Sequence, residues 1–244
     1  MKLTCMTLAI TVLFVSCAVR QSLTPLEPAA EFERAKSFFD NKKYNQAIEA
    51  FERILFYHPS SEYVDDAQYW LARTYLAQKD YDQAIIEFDY LVRNFPNTPQ
   101  LEDAYFYRAK AYLASAPSYE KDLSDLKDAI RFFDEFLTRF PNSKYTDDAR
   151  QEILIARNLL AKKELESGKL YEKMREPGAA QLYYSHIVNN YPETESAGEA
   201  SYRSARIYEK QGQTEKALEL YRKLLDDDNW QKKAATRIED LQGS

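Results

Sequence analysis

The stretch PNTPQLEDA, residues 96–104, contains a motif that occurs four times in this 244-residue chain. Each copy begins with a proline, has Ser or Thr two residues later, and ends eight residues after the proline in an alanine that follows an acid. The copies begin at Pro59, Pro96, Pro141 and Pro192, at intervals of 37, 45 and 51 residues. A motif recurring at such intervals is typical of a repeat protein whose units stack into a solenoid.

The motif itself predicts the end of one helix and the start of the next. Proline moves the residue before it away from helical geometry and has no N–H to donate, so it ends a helix. The Ser or Thr can turn the chain by bonding nearby backbone. The acids then lie in the first turn of the next helix, where they meet the positive end of its dipole. These acids are Asp65 and Asp66, Glu102 and Asp103, Asp147 and Asp148, and Glu199.

A second pattern precedes each proline. An alanine, an aromatic residue and a further large apolar residue stand 12, 8 and 5 residues before it, which places the three on one face of a helix. The sets are Ala47, Phe51 and Ile54; Ala84, Phe88 and Leu91; Ala129, Phe133 and Phe136; and Ala180, Tyr184 and Ile187. A fifth set, Ala217, Tyr221 and Leu224, has Asn229 in place of the proline.

These positions match the tetratricopeptide repeat superfamily, whose units are pairs of helices closed by a proline. The resemblance implies an all-α fold, a right-handed α-solenoid of five helical pairs. We place the repeats at residues 29–61, 62–98, 99–143, 144–194 and 195–229, followed by a C-terminal helix or tail at 230–244. The third repeat has eight extra residues around 115–124, and the first helix of the fourth is predicted to run unbroken from about Lys144 to Met174.

The N-terminus predicts a lipid anchor. A lysine followed by a short apolar run indicates a signal peptide over residues 1–16, and the run is too short to span a bilayer. Residues 13–17, LFVSC, resemble a bacterial lipobox, which implies that Cys17 becomes the lipidated first residue of the mature protein. Ala18 suggests, by analogy with Gram-negative sorting, the periplasmic face of the outer membrane. We expect a tether over residues 17–28; an ordinary secretory signal cleaved nearby is the alternative.

No residue pattern predicts catalysis. The net charge is -6 and no basic cluster occurs, which argues against a nucleic-acid surface. With five glycines, the chain has no Gly-rich phosphate-binding loop. His58 and His186, the two histidines, have no second ligand at metal-binding spacing. We therefore expect no catalytic residues, no metal and no cofactor, and a binding protein rather than an enzyme.

Aromatic residues crowd the first helices of the second and third repeats. In a solenoid of helical pairs these helices line the concave side, so exposed rings there could contact a peptide. Tyr69, Tyr105 and Tyr112 are the candidate contacts for a substrate peptide. For each ring taken alone, packing between repeats is the alternative reading.

Together, the lipobox, the tether and the five repeats resemble the outer-membrane protein assembly factor BamD family. Residues 157–164, RNLLAKKE, are similar to a stretch of that family's long fourth-repeat helix, and the lengthened third repeat is similar too. The resemblance implies a non-enzymatic part of the machinery that inserts β-barrels. Its N-terminal repeats would bind unfolded outer-membrane protein precursors. Its C-terminal repeats would bind the periplasmic polypeptide-transport-associated domain of the barrel insertase, here near Lys173 and Arg175.

A second class of function stays open from the sequence. The same closing motif occurs in a periplasmic cell-envelope organiser, the coordinator of the Tol-Pal system and peptidoglycan synthesis. Proteins of that kind usually begin with a coiled coil and have fewer repeats, and neither feature is found in this chain.

Overall fold

The computed structural model describes residues 26–116 and 123–243. Within these ranges the chain forms eleven α-helices, one short 3-10 helix (Leu224–Asp226) and no strand, which confirms the all-α prediction. The α-helices are α1 (Pro28–Asp40), α2 (Tyr44–Tyr57), α3 (Val64–Gln78), α4 (Tyr81–Asn94), α5 (Leu101–Ser115), α6 (Ser124–Arg139), α7 (Thr146–Lys173), α8 (Pro177–Asn190), α9 (Glu195–Lys210), α10 (Thr214–Lys223) and α11 (Gln231–Gln242).

The helices stack in chain order as a solenoid. Each of α1 to α10 packs on the next helix along the chain, and α11 packs on α10. The odd-numbered helices α1, α3, α5, α7 and α9 also contact one another in sequence, so they form the inner layer of the stack. The even-numbered helices α2, α4, α6, α8 and α10 form the outer layer. No helix in the described ranges is both long enough and apolar enough to span a membrane.

The predicted apolar faces of the outer helices are buried. In all five sets the alanine and the aromatic residue have no exposed surface, and the third residue is at most 4% exposed. Burying one large apolar side chain stabilises the fold by about 1.5–3 kcal/mol, so these rows supply much of the core. The alanines allow the inner helix to approach closely, and the larger side chains fill the space beside them.

The proline motif forms the same turn in every copy. The N–H of the Ser or Thr donates a hydrogen bond to the carbonyl of the residue before the proline, and the N–H of that preceding residue closes the outer helix. The turn bonds are Ser61 to His58 (3.0 Å), Thr98 to Phe95 (3.2 Å), Ser143 to Phe140 (3.1 Å) and Thr194 to Tyr191 (3.1 Å). This recurring turn sets the angle between successive repeats.

The acids of the motif lie where predicted in three of the four copies. Asp65 and Asp66, and the corresponding pairs in α5 and α7, occupy the first turn of their helices. The prediction for Glu199 is wrong, because α9 begins earlier, at Glu195. Glu199 lies in the second turn and forms ion pairs with Lys169 (2.9 Å) and Arg203 (2.8 Å).

The fourth repeat contains the long inner helix that the sequence predicts. Helix α7 has 28 residues and starts two residues later and ends one residue earlier than predicted. At 1.5 Å per residue it is roughly 42 Å long. The extra residues of the third repeat fall largely outside the described ranges, as do Cys17 and most of the predicted tether.

A glycine allows the second half of α7 to pack against α8. A Cβ atom added to Gly168 would lie 2.5 Å from Cε1 of Tyr184, whose side chain is fully buried. The Tyr184 hydroxyl donates a hydrogen bond to Glu172 (3.0 Å). Burial and this carboxylate raise the pKa of Tyr184, so the phenol stays protonated and keeps its bond at neutral pH.

Candidate functional site: the inner face of the first three repeats

A row of cations lies on aromatic rings along the inner layer. The ammonium of Lys36 in α1 lies 3.0 Å from the ring centroid of Trp70 in α3. The guanidinium carbon of Arg73 in α3 lies 3.7 Å from the ring centroid of Tyr107 in α5. Lys36, Arg73 and Lys110 are spaced 37 residues apart, so they hold equivalent positions in three successive repeats. We call Lys36, Trp70, Arg73, Tyr107 and Lys110 the inner strip.

The charges of the inner strip are only partly neutralised. Arg73 donates a hydrogen bond to the hydroxyl of Tyr69 (2.8 Å) and forms no ion pair within the described residues. Lys110 pairs with Glu152 of α7 (2.8 Å), and Lys36 reaches Asp40 at 3.8 Å. Burial lowers the pKa of Lys36, and Asp40 offsets this only in part.

This arrangement suits an extended ligand that carries both aromatic and carboxylate groups. The cations cover ring faces, so the edges of the rings are the surface left for apolar contact. A cation held over a ring contributes about 0.5–2 kcal/mol while its N–H groups remain available to an acceptor. Of the three cations, Arg73 is the one without a carboxylate partner in the described residues, so it is the charge of the strip that remains available to a ligand.

The structure separates the three tyrosines predicted to contact a substrate. Tyr69 is 4% and Tyr105 is 5% exposed, so both rings pack inside the stack. Tyr69 contacts Phe88 edge to face at 6.3 Å, and burial raises its pKa to about 12. Tyr112 is half-buried and stacks on Phe132 at 4.5 Å, which leaves part of its ring accessible.

The cations of the inner strip are the functional candidates that sequence reasoning missed. Their signal is present in the sequence, since the 37-residue interval that aligns the prolines also aligns Lys36, Arg73 and Lys110. The side chains that flank them across the repeats, such as Trp70 and Tyr107, become evident only when adjacent inner helices are placed side by side.

The predicted partner residues Lys173 and Arg175 are exposed at the turn between α7 and α8. Arg175 has a left-handed backbone (φ 63°), and its N–H donates to the Glu172 carbonyl at 3.1 Å, which ends α7. The last turn of α7 does not project freely, because Tyr171 stacks on Tyr183 of α8 at 5.4 Å. The exposed surface is therefore the turn itself, residues 173–178.

The two histidines have protein neighbours instead of metal-ligand partners. A ring nitrogen of His58 lies 2.9 Å from the carbonyl oxygen of Leu26, and His186 lies 3.9 Å from Glu164. In residues 26–116 and 123–243, no three His, Cys, Asp or Glu side chains come together in a group that could hold a metal ion.

Comparison with known proteins identifies the family. The sequence profile described as "YfiO: Outer membrane lipoprotein" matches residues 26–224. The outer membrane protein assembly factor BamD of Rickettsia prowazekii is 27% identical over 176 residues, which cover 69% of this chain and 67% of that protein. The BamD proteins of Haemophilus influenzae and Vibrio cholerae are 29% and 28% identical over 94 and 106 residues, covering 36% and 44% of their own lengths.

A solved structure agrees on the fold. The TPR2AB domain of yeast Sti1, in its complex with pHSP90, superposes with a TM-score of 0.51 over 88% of this chain and 83% of that one, at 17% identity. At that identity the likeness establishes the tetratricopeptide-like solenoid alone. The family match covers most of the chain, including both layers of the stack. The chain therefore belongs to the YfiO family of outer membrane lipoproteins, the family that includes the BamD assembly factors.

Proposed function

We propose that this protein is a non-catalytic scaffold of the outer-membrane β-barrel assembly machinery, lipid-anchored at the periplasmic face. The observation that carries the proposal is the inner strip, a row of cations and rings on the inner layer of the first three repeats. The strip would bind unfolded outer-membrane protein precursors, and the C-terminal repeats would bind the barrel insertase. The names of the relatives, assembly factors of outer membrane proteins, support this role.

An unfolded barrel precursor fits the strip by its chemistry. Such a segment is extended, and its targeting strand ends in an aromatic side chain beside a terminal carboxylate. Arg73 would donate hydrogen bonds to the carboxylate, since its side chain donates to the Tyr69 hydroxyl and has no acidic partner in the described residues. The aromatic side chain would then lie against the accessible edge of Tyr107, while the buried Tyr69 supports Arg73 from within through its hydroxyl. Tyr112, which stacks on Phe132 of α6, would contact a more distant part of the segment.

Arg73→Glu tests the substrate site. We expect this variant to bind a fluorescein-labelled decapeptide with a C-terminal phenylalanine and free carboxylate at least tenfold more weakly, about 1.4 kcal/mol, because repulsion replaces attraction. Fluorescence anisotropy measures the affinity. The matched control is Arg222→Glu, at an exposed cation of α10. Equal peptide affinity for Arg73→Glu and wild type, with both folded, would exclude the inner strip as the substrate site.

Arg175→Glu tests the partner site. The turn at residues 173–178 is exposed and carries the two cations Lys173 and Arg175, which suits an acidic surface of the insertase. We expect unchanged thermal stability and a tenfold loss of insertase co-purification from detergent-solubilised envelope. Lys127→Glu, at an exposed position of α6, is the control. Undiminished co-purification would place the insertase elsewhere on the solenoid.

Cys17→Ala tests the anchor. Without an acyl chain the remaining chain has no helix in its described part that could cross a membrane, so we expect the variant in the periplasmic fraction. Fractionation followed by a carbonate wash measures the distribution. Retention of the variant in the washed membrane pellet would contradict lipidation at Cys17.

A further inference from the structure

The outer layer carries an open groove between α2 and α4. Its volume is about 650 Å³, and Leu55 and Leu71 supply apolar surface within it. Phe56 lies at the groove and is 76% exposed, the largest value among the exposed large hydrophobic side chains of the described residues. Three acids also line the groove: Glu49, Glu52 and Glu87. We call this the first groove; it lies on the outer helices and is separate from the inner strip.

Two of the acids of the first groove, Glu52 and Glu87, accept hydrogen bonds from neutral groups. The hydroxyl of Tyr75 reaches Glu52 at 3.4 Å, and the amides of Gln68 and Gln83 each donate to Glu87 at 2.7 Å. Burial, followed by the charges of Glu52 and Glu87, raises the pKa of Tyr75 to about 12. The carboxylates of Glu52 and Glu87 therefore both lie close enough to the Tyr75 hydroxyl to disfavour its ionisation.

No cation of the described residues neutralises these acids. Glu49, Glu52 and Glu87 form no ion pair there, whereas Asp89, on the same helix as Glu87, pairs with Arg108. The one cation that lines the groove, Arg53, is directed to the buried carboxylate of Glu31 at 2.8 Å, which it shares with Arg34 of α1. The groove thus combines apolar surface with negative charge that the described chain leaves unpaired.

At the equivalent position of the next repeat, a buried cation of the chain itself neutralises the acids. Counting 37 residues onward, Leu71 corresponds to Arg108 and Glu52 corresponds to Asp89. Arg108 is 5% exposed and pairs with Asp89 of α4 at 3.1 Å and with Glu135 of α6 at 2.7 Å. Its guanidinium lies 4.2 Å from the ring centroid of Phe132. In the first groove, leucine stands where this arginine would be.

We propose that the first groove binds a basic segment of a partner protein. An arginine or lysine of that segment pairs with Glu52 and Glu87, taking the role that Arg108 has between α4 and α6. An adjacent apolar side chain covers Phe56 and Leu55. Charge complementarity selects this occupant, because three unpaired acids repel an anionic lipid surface. A second copy of the chain, with net charge -6, is disfavoured for the same reason.

The first test uses a fluorescein-labelled dodecapeptide in which arginine and leucine alternate with serine spacers. We expect wild type to bind this peptide, and not the peptide with glutamate for arginine, by fluorescence anisotropy. The double variant E52Q/E87Q removes both charges with little change in shape, and we expect at least tenfold weaker binding. E239Q, at an exposed acid of α11, is the control. Equal affinity for both peptides, or no loss in E52Q/E87Q, overturns the proposal.

A second test places a cation inside the first groove. Leu71→Arg should supply the missing internal cation and reduce binding of the arginine peptide at least tenfold. Unchanged peptide affinity in Leu71→Arg, with the variant folded by circular dichroism, would overturn the proposal. Phe56-dependent binding to phosphatidylglycerol vesicles, or Phe56-dependent dimerisation in ultracentrifugation, would assign the groove to lipid or to a second copy.

Discussion

Replacing Ala84 by glutamate is expected to lower the free energy of unfolding by more than about 4 kcal/mol. Ala84 has no exposed surface and packs with Tyr69, Phe88 and Leu91 in the core that joins the second and third repeats. A glutamate there would be a buried charge without a cation partner, and its extra atoms would also overpack the helix contact. Urea unfolding followed by circular dichroism measures the loss.

The matched control for this change is Ala77→Glu. Ala77 lies near the end of α3 and is exposed, so glutamate there should cost less than about 1 kcal/mol, mostly from its unfavourable position at the negative end of the helix dipole. Equal unfolding midpoints for the two variants would show that the two alanines do not differ in burial, and the repeat register would be wrong.

Replacing Gly168 by alanine is expected to destabilise the protein by about 1–3 kcal/mol, the usual cost of overpacking. This sign is opposite to the ordinary one, because alanine in a helix interior is favoured over glycine by about 1 kcal/mol. The added methyl group would collide with the ring of Tyr184. That ring is fully buried and its hydroxyl donates a hydrogen bond to Glu172, so moving the ring would disrupt its packing and break the hydrogen bond. Thermal unfolding measures the change.

Gly178→Ala is the control for this second prediction. Gly178 lies in the first turn of α8, and a Cβ atom there would have no neighbour within 4 Å. The substitution should leave the melting temperature unchanged or raise it slightly. A rise in melting temperature for Gly168→Ala equal to that for Gly178→Ala would contradict the close approach of α7 and α8.

The fold could be predicted from the sequence because its information is local. The proline turn, the acids that follow it and the apolar face of the outer helix before it lie at fixed, short offsets from each proline. An outer helix has one buried face, so spacing alone identifies its core residues. The bounds of α7 followed in the same way, from the absence of a turn signal between the acids of the motif and Pro177.

The site was predicted less well because inner helices pack on several neighbours. Helix α5 contacts α4, α6 and also α3 and α7, so apolar residues surround much of its circumference and no single face identifies the exposed rings. Tyr69 and Tyr105 became buried for this reason, while Arg73 and Lys110 reached the surface. The first groove depends on one leucine, Leu71, that differs from its counterpart Arg108. The 37-residue interval aligns the two positions, but the ion pairs of Arg108 with Asp89 and Glu135 follow only from the packing of α5 between α4 and α6.

The length of α7 affects how the solenoid unfolds. In a stack where each repeat contacts only its neighbours, the ends can fray while the middle stays folded, and unfolding loses cooperativity. Helix α7 contacts α5 and α6 on one side and α8 and α9 on the other, as a single uninterrupted element. If either end of α7 unfolds, the adjoining half of the protein loses a helix surface on which it packs. The two halves, one carrying the inner strip and the other the exposed turn at 173–178, are therefore coupled in stability.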